Sequence, residues 1–363
     1  MAEGPAILAL ESARKISERV NEILTEWNGG GPYLVPVECP RFGSGEGKGI
    51  IRESVRDRDV FIMVDVLNSS LTYKMDGSAN RMSPDDHYQD LKRVIAACNG
   101  TPRRITVIMP FLYEGRQHRK TLRESLDCAV MLRELESMGV HSIITFDAHD
   151  PRMQNVVPLM GLENMSAALQ FTQCLLSEYE DIRIAPDRLM FIAPDEGATG
   201  RAVFLASLFG VNIGMFYKRR DYTVIVDGMN PIIAHDFCGG DVRGMDCVVV
   251  DDMISSGGSM LDVSRQLKDR GAARVFLYST FGLFTGGFEK FDAAYAEGLF
   301  DRVFTTDLTR QKPGLTERPW YCSVHMSRYV AAIIDTLCRG GSLQELSKPA
   351  RRIRDMIERY RRA

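Results

Sequence analysis

The stretch CVVVDDMISSGGSML, residues 247–261, is the strongest indication of the fold class of this chain. Its apolar start is typical of a buried strand, and it runs directly into two adjacent carboxylates, Asp251 and Asp252. A turn of serines and glycines follows, and Leu261 and Leu267 then fall on one face of a predicted helix. A short apolar strand, a turn and a helix in this order form the repeating unit of a parallel α/β sheet.

The same stretch predicts a binding site for a sugar phosphate. Glycines allow the backbone to wrap an anion, and a helix N-terminus adds N–H groups and a positive dipole. The hydroxyls of Ser256 and Ser259 can donate to phosphate oxygens, and the two carboxylates can accept hydrogen bonds from a diol, which together describes a ribose 5-phosphate. The alternative is a capped strand–turn–helix with surface acids. The candidate residues are Asp251, Asp252, Ser255, Ser256, Gly257, Gly258 and Ser259.

Strands and helices alternate along most of the chain. With about 150 residues per domain, 363 residues predict two domains. The Pro, Asn and Gly content of residues 148–164 predicts a connection there. We therefore expect domains at 1–160 and 161–315, followed by C-terminal helices at 316–363. The last helix is basic, with Ile353, Met356, Ile357 and Tyr360 on one stripe.

Composition excludes several classes of protein. The net charge of −3 argues against a dedicated nucleic-acid binder, which would normally be basic. No apolar run approaches the roughly 18 residues that span a bilayer, and the first residues lack the pattern of a signal peptide. The eight cysteines contain no C-x-x-C pair, which favours free thiols over a zinc or redox motif. We expect a cytoplasmic protein with no membrane partner.

Three more polar segments follow predicted strands, where α/β sheets bind ligands. Arg116 and Gln117 lie in PFLYEGRQHRK, whose cations could hold a polyphosphate. The alternative is a run of charged residues that is only exposed to solvent. His149 follows the strand SIITFD, and Asp195 follows RLMFIAP; a lone His in such a place is more often structural. Three consecutive cations, residues 218–220, are expected on a turn after IGMFY, as a phosphate contact or as a solvated patch.

These segments resemble one family in their order along the chain. Residues 247–261 resemble the phosphoribosyl-binding motif of the type I phosphoribosyltransferase fold. PFLYEGRQHRK is similar to PYFGYARQDRK of the ribose-phosphate diphosphokinase (PRPP synthetase) family, ITFDAHDPRMQ to its ITVDLHAPQIQ, and APDEGATGRA to its SPDxGGxxRA. RFGSGEGKGIIRESVRDRDVFIM resembles its RFSDGEIxVxIxESVRGxDVFII, and the KRR of residues 218–220 resembles the start of its catalytic loop. The resemblance covers roughly Arg41 to Thr306.

The resemblance implies an α/β fold of two phosphoribosyltransferase-like domains, each a mainly parallel sheet flanked by helices. It implies transfer of the diphosphoryl group of ATP to the 1-hydroxyl of ribose 5-phosphate, giving PRPP and AMP. It also implies a homo-oligomer, at least a dimer and in the family a hexamer, because the family's adenine-stacking Phe reaches a neighbouring subunit. The implied roles are ATP binding for Phe42, Glu46, Arg116 and Gln117, Mg²⁺ binding for His149 and Asp195, transition-state stabilisation for Lys218 and Arg220, and ribose 5-phosphate binding for the residues named above.

The chain departs from the family pattern at several positions. Ser44 and Ser255 stand where the family has acids, and His118 replaces the Asp of RQDRK. The stretch from Asn68 to Pro84 is longer than its counterpart, and the basic C-terminal helix is additional. Two other functions therefore stay open, a non-catalytic regulatory subunit of this family and a phosphoribosyltransferase that consumes PRPP.

Overall fold

The computed structural model describes residues 4–220 and 232–362, without the side chains of residues 218–220 and 232–235. The chain divides into two compact units. The first unit comprises Met1–Ala167, Asp307–Arg310 and His325–Lys348, and the second comprises Ala168–Thr306, Gln311–Val324 and Pro349–Ala363.

The elements of the first 167 residues alternate as the sequence predicts. The strands are β1 (Ala6–Ala9), β2 (Leu34–Val35), β3 (Val37–Glu38), β4 (Ile50–Ile51), β5 (Asp59–Met63), β6 (Thr72–Met75), β7 (Ser78–Arg81), β8 (Arg104–Ile108), β9 (Ser142–Phe146) and β10 (Gly161–Met165). The helices are α1 (Arg14–Asn28), α2 (Pro84–Ala97) and α3 (Asp127–Ser137), with 3-10 turns at Glu11–Ala13 and Pro151–Val156.

The first unit is built on a parallel sheet with the order β10-β9-β8-β5-β1-β2. Every residue of β1 and β5 is buried, as expected for strands covered on both faces. The sequence Ser83-Pro84-Asp85-Asp86 predicts a helix start, and α2 begins there, with Ser83 and Asp86 forming a reciprocal capping box. Outside this sheet, β6 and β7 form an antiparallel hairpin, and β3 pairs antiparallel with β4.

The remaining elements build the second sheet and the C-terminal helices. The strands are β11 (Leu189–Ala193), β12 (Asn212–Arg220), β13 (Ile232–Cys238), β14 (Asp246–Ile254), β15 (Arg274–Gly282), β16 (Arg302–Thr306) and β17 (Tyr321–Val324). The helices are α4 (Ala168–Glu178), α5 (Thr199–Phe209), α6 (Gly258–Asp269), α7 (Glu289–Ala296), α8 (Ser327–Cys338), α9 (Gln344–Ser347) and α10 (Ala350–Arg362), and a 3-10 turn spans Glu196–Ala198.

The second sheet has the order β13-β12-β11-β14-β15-β16-β17. Its neighbouring strands are parallel except β12 and β13, which are antiparallel. Two mainly parallel sheets flanked by helices confirm the predicted fold class. Among the helices of the described residues, the structure contains none that is both long and apolar enough to span a bilayer.

The structure differs from the sequence prediction at Met165 and at the three cations of residues 218–220. The sequence of residues 165–180 predicts a helix that begins at Met165, but Met165 ends β10, which adds to β9 as an edge strand, and α4 begins at Ala168. The cations were expected on a turn, but their backbone continues β12 because it pairs with β13, from Lys218 opposite His235 to Arg220 opposite Ile232. Both differences come from strand pairing, which local periodicity does not encode.

The C-terminal segment contributes to both units. Helix α8 packs against α1 in the first unit, and α10 packs against α4 and α5 in the second. On α10 the predicted stripe faces inward, since Ile353 and Ile357 are buried and the Tyr360 hydroxyl donates to the Tyr179 carbonyl oxygen at 2.8 Å. The basic residues therefore belong to a helix that packs against α4 and α5 through its apolar side.

Candidate functional site

The predicted acid pair lies within strand β14, shortly before the strand ends at Ile254. Asp252 is buried and Asp251 is partly buried, and the Asp252 N–H donates to the Asp251 Oδ1 at 2.8 Å. Burial, followed by the neighbouring charge of Asp252, raises the pKa of Asp251 well above its usual range. Two carboxylates held this close in a buried position favour a ligand that donates hydrogen bonds, such as a diol.

Two residues that follow β11 lie near this pair. The Asp195 carboxylate accepts a hydrogen bond from the Ala198 N–H at 3.3 Å, and its charge contributes to the raised pKa of Asp251. Arg201, on the first turns of α5, places its Nη2 atom 3.8 Å from the Asp252 Oδ2. Because β11 and β14 are neighbours in the sheet, their carboxyl ends bring these groups together. Arg201 lies in the APDEGATGRA motif, but the sequence pattern alone gave it no role.

The turn after β14 leads into α6 through a glycine that no other residue could replace easily. Gly257 is the N-cap of α6 and has a φ of 82°, in the left-handed region. A Cβ atom at this position would also overlap the buried ring of Phe291. Ser256, Gly258 and Ser259 are exposed at the start of the helix. Since the N-cap has no side chain, the first turn presents backbone N–H groups to an incoming anion.

In the first unit, Arg116 and Gln117 lie on a turn that follows β8. The Gln117 N–H donates to the Glu114 carbonyl oxygen at 2.8 Å, and the Gly115 N–H donates to that of Leu112 at 2.9 Å. Arg116 and Gln117 are both exposed on this turn. The turn therefore presents one cation and one amide to solvent beside the carboxyl end of β8.

His149 lies beyond β9, the neighbour of β8, and the next residues anchor its loop. Its side chain is exposed, and its ring centroid lies 5.3 Å from that of His118. Asp150 is buried and accepts hydrogen bonds from the Arg152 guanidinium at 2.6 and 2.9 Å. Hydrogen bonds from Arg152, against the opposing effect of burial, lower the pKa of Asp150 to about 2. His118, at the position of the Asp in the family motif that this segment resembles, thus lies next to the predicted metal ligand. This contact could not be read from the sequence pattern, because the two residues follow different strands.

Phe42 and Glu46 lie on a short loop between β3 and β4. The Phe42 N–H donates to the Glu46 carbonyl oxygen at 2.7 Å, and the Gly45 N–H donates to that of Phe42 at 2.9 Å. The Phe42 ring is 54% exposed, and the Ser44 hydroxyl donates to the Glu46 carboxylate at 2.9 Å. An exposed aromatic ring on a closed turn can stack on a planar base.

Lys218 and Arg220, the predicted transition-state residues, lie at the end of β12, and their side chains are outside the described residues. For metal binding, the described ranges 4–220 and 232–362 hold no group of three or more His, Cys, Asp or Glu side chains arranged around one ion. His149 in the first unit offers an imidazole nitrogen, and Asp195 in the second unit offers carboxylate oxygens. Carboxylate oxygens suit Mg²⁺, which keeps waters and takes other ligands from substrate phosphates.

Models of two protein families match most of the chain. The N-terminal domain of ribose phosphate pyrophosphokinase matches residues 5–139, and the phosphoribosyl transferase domain matches residues 163–300. The first match contains the loop of Phe42 and the turn of Arg116, and the second contains Asp195 and the acid pair of β14.

Curated relatives and a solved structure agree with these matches. The ribose-phosphate pyrophosphokinase of Ralstonia nicotianae is 31% identical over 309 residues, covering 84% of this chain and 88% of that protein. That of Vibrio parahaemolyticus is 28% identical over 319 residues, covering 86% and 91%. The phosphoribosylpyrophosphate synthetase of Mycobacterium smegmatis has the same fold, with a TM-score of 0.75 at 21% identity over 93% of this chain and 100% of that chain.

Proposed function

The chain belongs to the ribose-phosphate pyrophosphokinase family, and on that premise we propose that it transfers the diphosphoryl group of ATP to ribose 5-phosphate. In this reaction the 1-hydroxyl oxygen of the sugar forms a bond to the β-phosphorus, and the bond from that phosphorus to the α-phosphate bridging oxygen breaks. The products are PRPP and AMP, and the hydroxyl proton is released. The observation that carries the proposal is the buried acid pair of β14 directly before the glycine turn of α6.

The sugar phosphate is assigned to the second unit. Asp251 and Asp252 accept hydrogen bonds from the ribose hydroxyls, and the turn of Ser255, Ser256, Gly257, Gly258 and Ser259 holds the 5-phosphate. Arg201 supports this assignment, since its guanidinium lies beside Asp252 and partly neutralises the pair when the site is empty. A ribose that donates to both carboxylates relieves the unfavourable burial of two like charges, which favours binding.

ATP is assigned to Arg116, Gln117, Phe42 and Glu46. Arg116 and Gln117 are exposed where they can bind phosphate and base atoms, and the exposed ring of Phe42 stacks on the adenine. Lys218 and Arg220 are assigned to the charge that develops on the transferred group, which is the main demand of phosphoryl transfer. The chemistry relies on positioning and charge neutralisation.

Mg²⁺ is assigned to His149 and Asp195, with the remaining ligands from water and from phosphate oxygens. When bound, the ion supplies neutralisation of phosphate charge during transfer. We assign the active form to a homo-oligomer, at least a dimer, in which the loop of Phe42 serves a neighbouring subunit as in the family. We also assign the protein to the cytoplasm.

The experiment that tests the proposal incubates the purified protein with Mg²⁺, ATP and ribose 5-phosphate and follows AMP and PRPP. We expect AMP and PRPP in equal amounts. Folded protein that forms no AMP would refute the proposal and favour a regulatory subunit. Consumption of added PRPP with a free base, without formation of AMP from ATP, would favour a transferase.

A further inference from the structure

The hairpin of β6 and β7 lies in the stretch between Asn68 and Pro84, which the family resemblance predicts to be longer than its counterpart. The turn between the strands is Asp76-Gly77, with φ values of 50° and 76°, which is the geometry of a two-residue type I′ turn. Most of the hairpin is exposed, and a two-stranded hairpin is only marginally stable by itself. Its order must therefore come from what it packs against.

The hairpin packs against the loop of Phe42, which we define as residues 41–47. The Asp76 N–H donates to the Gly43 carbonyl oxygen at 3.1 Å. An ideal Cβ on Gly45 would lie 2.8 Å from the Met75 Sδ and 3.7 Å from the Tyr73 ring, so both side chains cover this glycine. A backbone hydrogen bond at the tip and two side chains along β6 thus hold one side of the loop.

Arg41 connects the loop and hairpin to the rest of the first unit. Its guanidinium lies over the Tyr73 ring, 5.2 Å from the centroid, and donates to both carboxylate oxygens of Asp90 at 2.5 and 3.0 Å. The side chains of Arg41 and Asp90 are only 7% and 6% exposed. A bidentate pair this well buried fixes the Arg41 side chain in one orientation, and the Tyr73 ring covers its face.

We infer that Tyr73 and Met75 of this hairpin are positioning residues for the nucleotide base, acting through the loop of residues 41–47. This inference rests on the proposed function for the role of Phe42 as the adenine-stacking residue. A loop that is ordered before binding loses less conformational entropy when ATP binds, so the hairpin strengthens ATP binding without contacting the substrate. It also explains how a loop with Ser44 in place of the family's acid keeps a defined shape, since the hairpin contacts are additional to those within the loop.

The test compares Tyr73→Ala with Tyr73→Phe, because only the second keeps the ring under Arg41 and over Gly45. The first measurement is hydrogen exchange of the Phe42 and Gly45 amides, whose hydrogen bonds close the loop. We expect exchange about 10-fold faster in Tyr73→Ala and unchanged in Tyr73→Phe. Met75→Ala is expected to act in the same direction, which guards against a result peculiar to position 73.

The second measurement is steady-state kinetics with each substrate varied in turn. In Tyr73→Ala we expect KM for ATP to rise about 5-fold or more, with kcat and KM for ribose 5-phosphate within twofold of the wild type. Unchanged amide exchange, or an equal rise in both KM values, would overturn the inference. A wild-type protein without activity would instead refute the proposed function, and amide exchange together with equilibrium binding of ATP would then decide whether the hairpin orders the loop for a nucleotide.

Discussion

Gly257 and Phe291 approach so closely that a single methyl group does not fit between them. Gly257 opens α6 with a φ of 82°, and the Phe291 ring lies where its Cβ would be. Phe291 is itself fully buried and stacks on Trp320 at a centroid distance of 5.5 Å. The turn that we assign to the 5-phosphate is therefore built directly on an aromatic core.

We expect Gly257→Ala to lower the free energy of unfolding by about 3 kcal/mol, the sum of left-handed backbone strain and overpacking. Gly258→Ala is the matched control, because a Cβ there meets no atom nearer than the Ser256 Oγ at 4.0 Å. Urea unfolding of both variants measures the difference. Equal stability of the two variants would mean that the turn adapts without loss.

Asp251→Asn is expected to stabilise the free protein while weakening the binding of ribose 5-phosphate. The amide keeps an oxygen for the Asp252 N–H and removes one of two buried like charges, which should raise the free energy of unfolding by about 1 kcal/mol at pH 7.5. Loss of a carboxylate acceptor should raise KM for ribose 5-phosphate about 10-fold or more.

The control for this prediction is Asp252→Asn, which loses the charge facing Arg201. We expect it to weaken ribose 5-phosphate binding without any gain in stability. Thermal unfolding and kinetics on both variants separate the two effects. If Asp252→Asn were stabilised and Asp251→Asn destabilised, the unfavourable buried charge would belong to Asp252 and not to Asp251.

Lys218→Ala is expected to reduce kcat by orders of magnitude and leave the affinity for ribose 5-phosphate nearly unchanged. The reason is that a cation beside the transferred group stabilises the transition state more than the bound substrate. Single-turnover kinetics and calorimetric binding of ribose 5-phosphate check this. A parallel loss of binding would show that the three cations of residues 218–220 contact the sugar phosphate instead.

Co-expression of Phe42→Ala and Lys218→Ala chains is expected to restore activity that each variant lacks alone. If the loop of residues 41–47 completes the site of a neighbouring subunit, a mixed oligomer contains sites with both side chains intact. Activity of the mixed sample should exceed the sum of the two separate variants by about 10-fold or more. No gain from mixing, in an oligomer shown by native mass spectrometry to contain both chains, would place Phe42 and Lys218 in the same subunit's site.

We expect the free energy of unfolding of the first unit to fall at acidic pH, in part because Asp59 becomes protonated. Burial by itself would raise its pKa, but hydrogen bonds from Arg104 and Arg103 outweigh this effect and lower the pKa to about 2, from an ordinary 3.8. Because the folded-state pKa is depressed, the stabilisation is complete above pH 4 and is lost as pH falls toward 2.

The measurement is the difference in unfolding free energy between the wild type and Asp59→Asn. We expect about 1 kcal/mol at pH 5, because the partly exposed Arg103 is screened by solvent, and a smaller difference at pH 3. A difference that is constant between pH 5 and pH 3 would contradict the assignment of the shift to Asp59.

Much of the fold could be predicted from local sequence. Apolar runs bounded by turns predict β5, β11 and β14, and Ser83-Pro84 predicts the start of α2. These predictions succeed because burial periodicity and helix capping act within a few residues. The same local logic singled out Asp251, Asp252 and the glycine turn, since strand, acids and turn are contiguous. Strand β10 was missed because an edge strand is defined by the neighbour to which it pairs.

The order of residues establishes which side chains are available for chemistry and which strand each one follows. Which of these side chains meet depends on how the strands and loops pack. This packing places Arg201 beside Asp252, His118 beside His149, and the hairpin of Tyr73 and Met75 against the loop of Phe42. This division arises because hydrophobic periodicity and turn chemistry are local, whereas the order of strands in a sheet and the packing of the β6–β7 hairpin depend on contacts between residues distant in the chain.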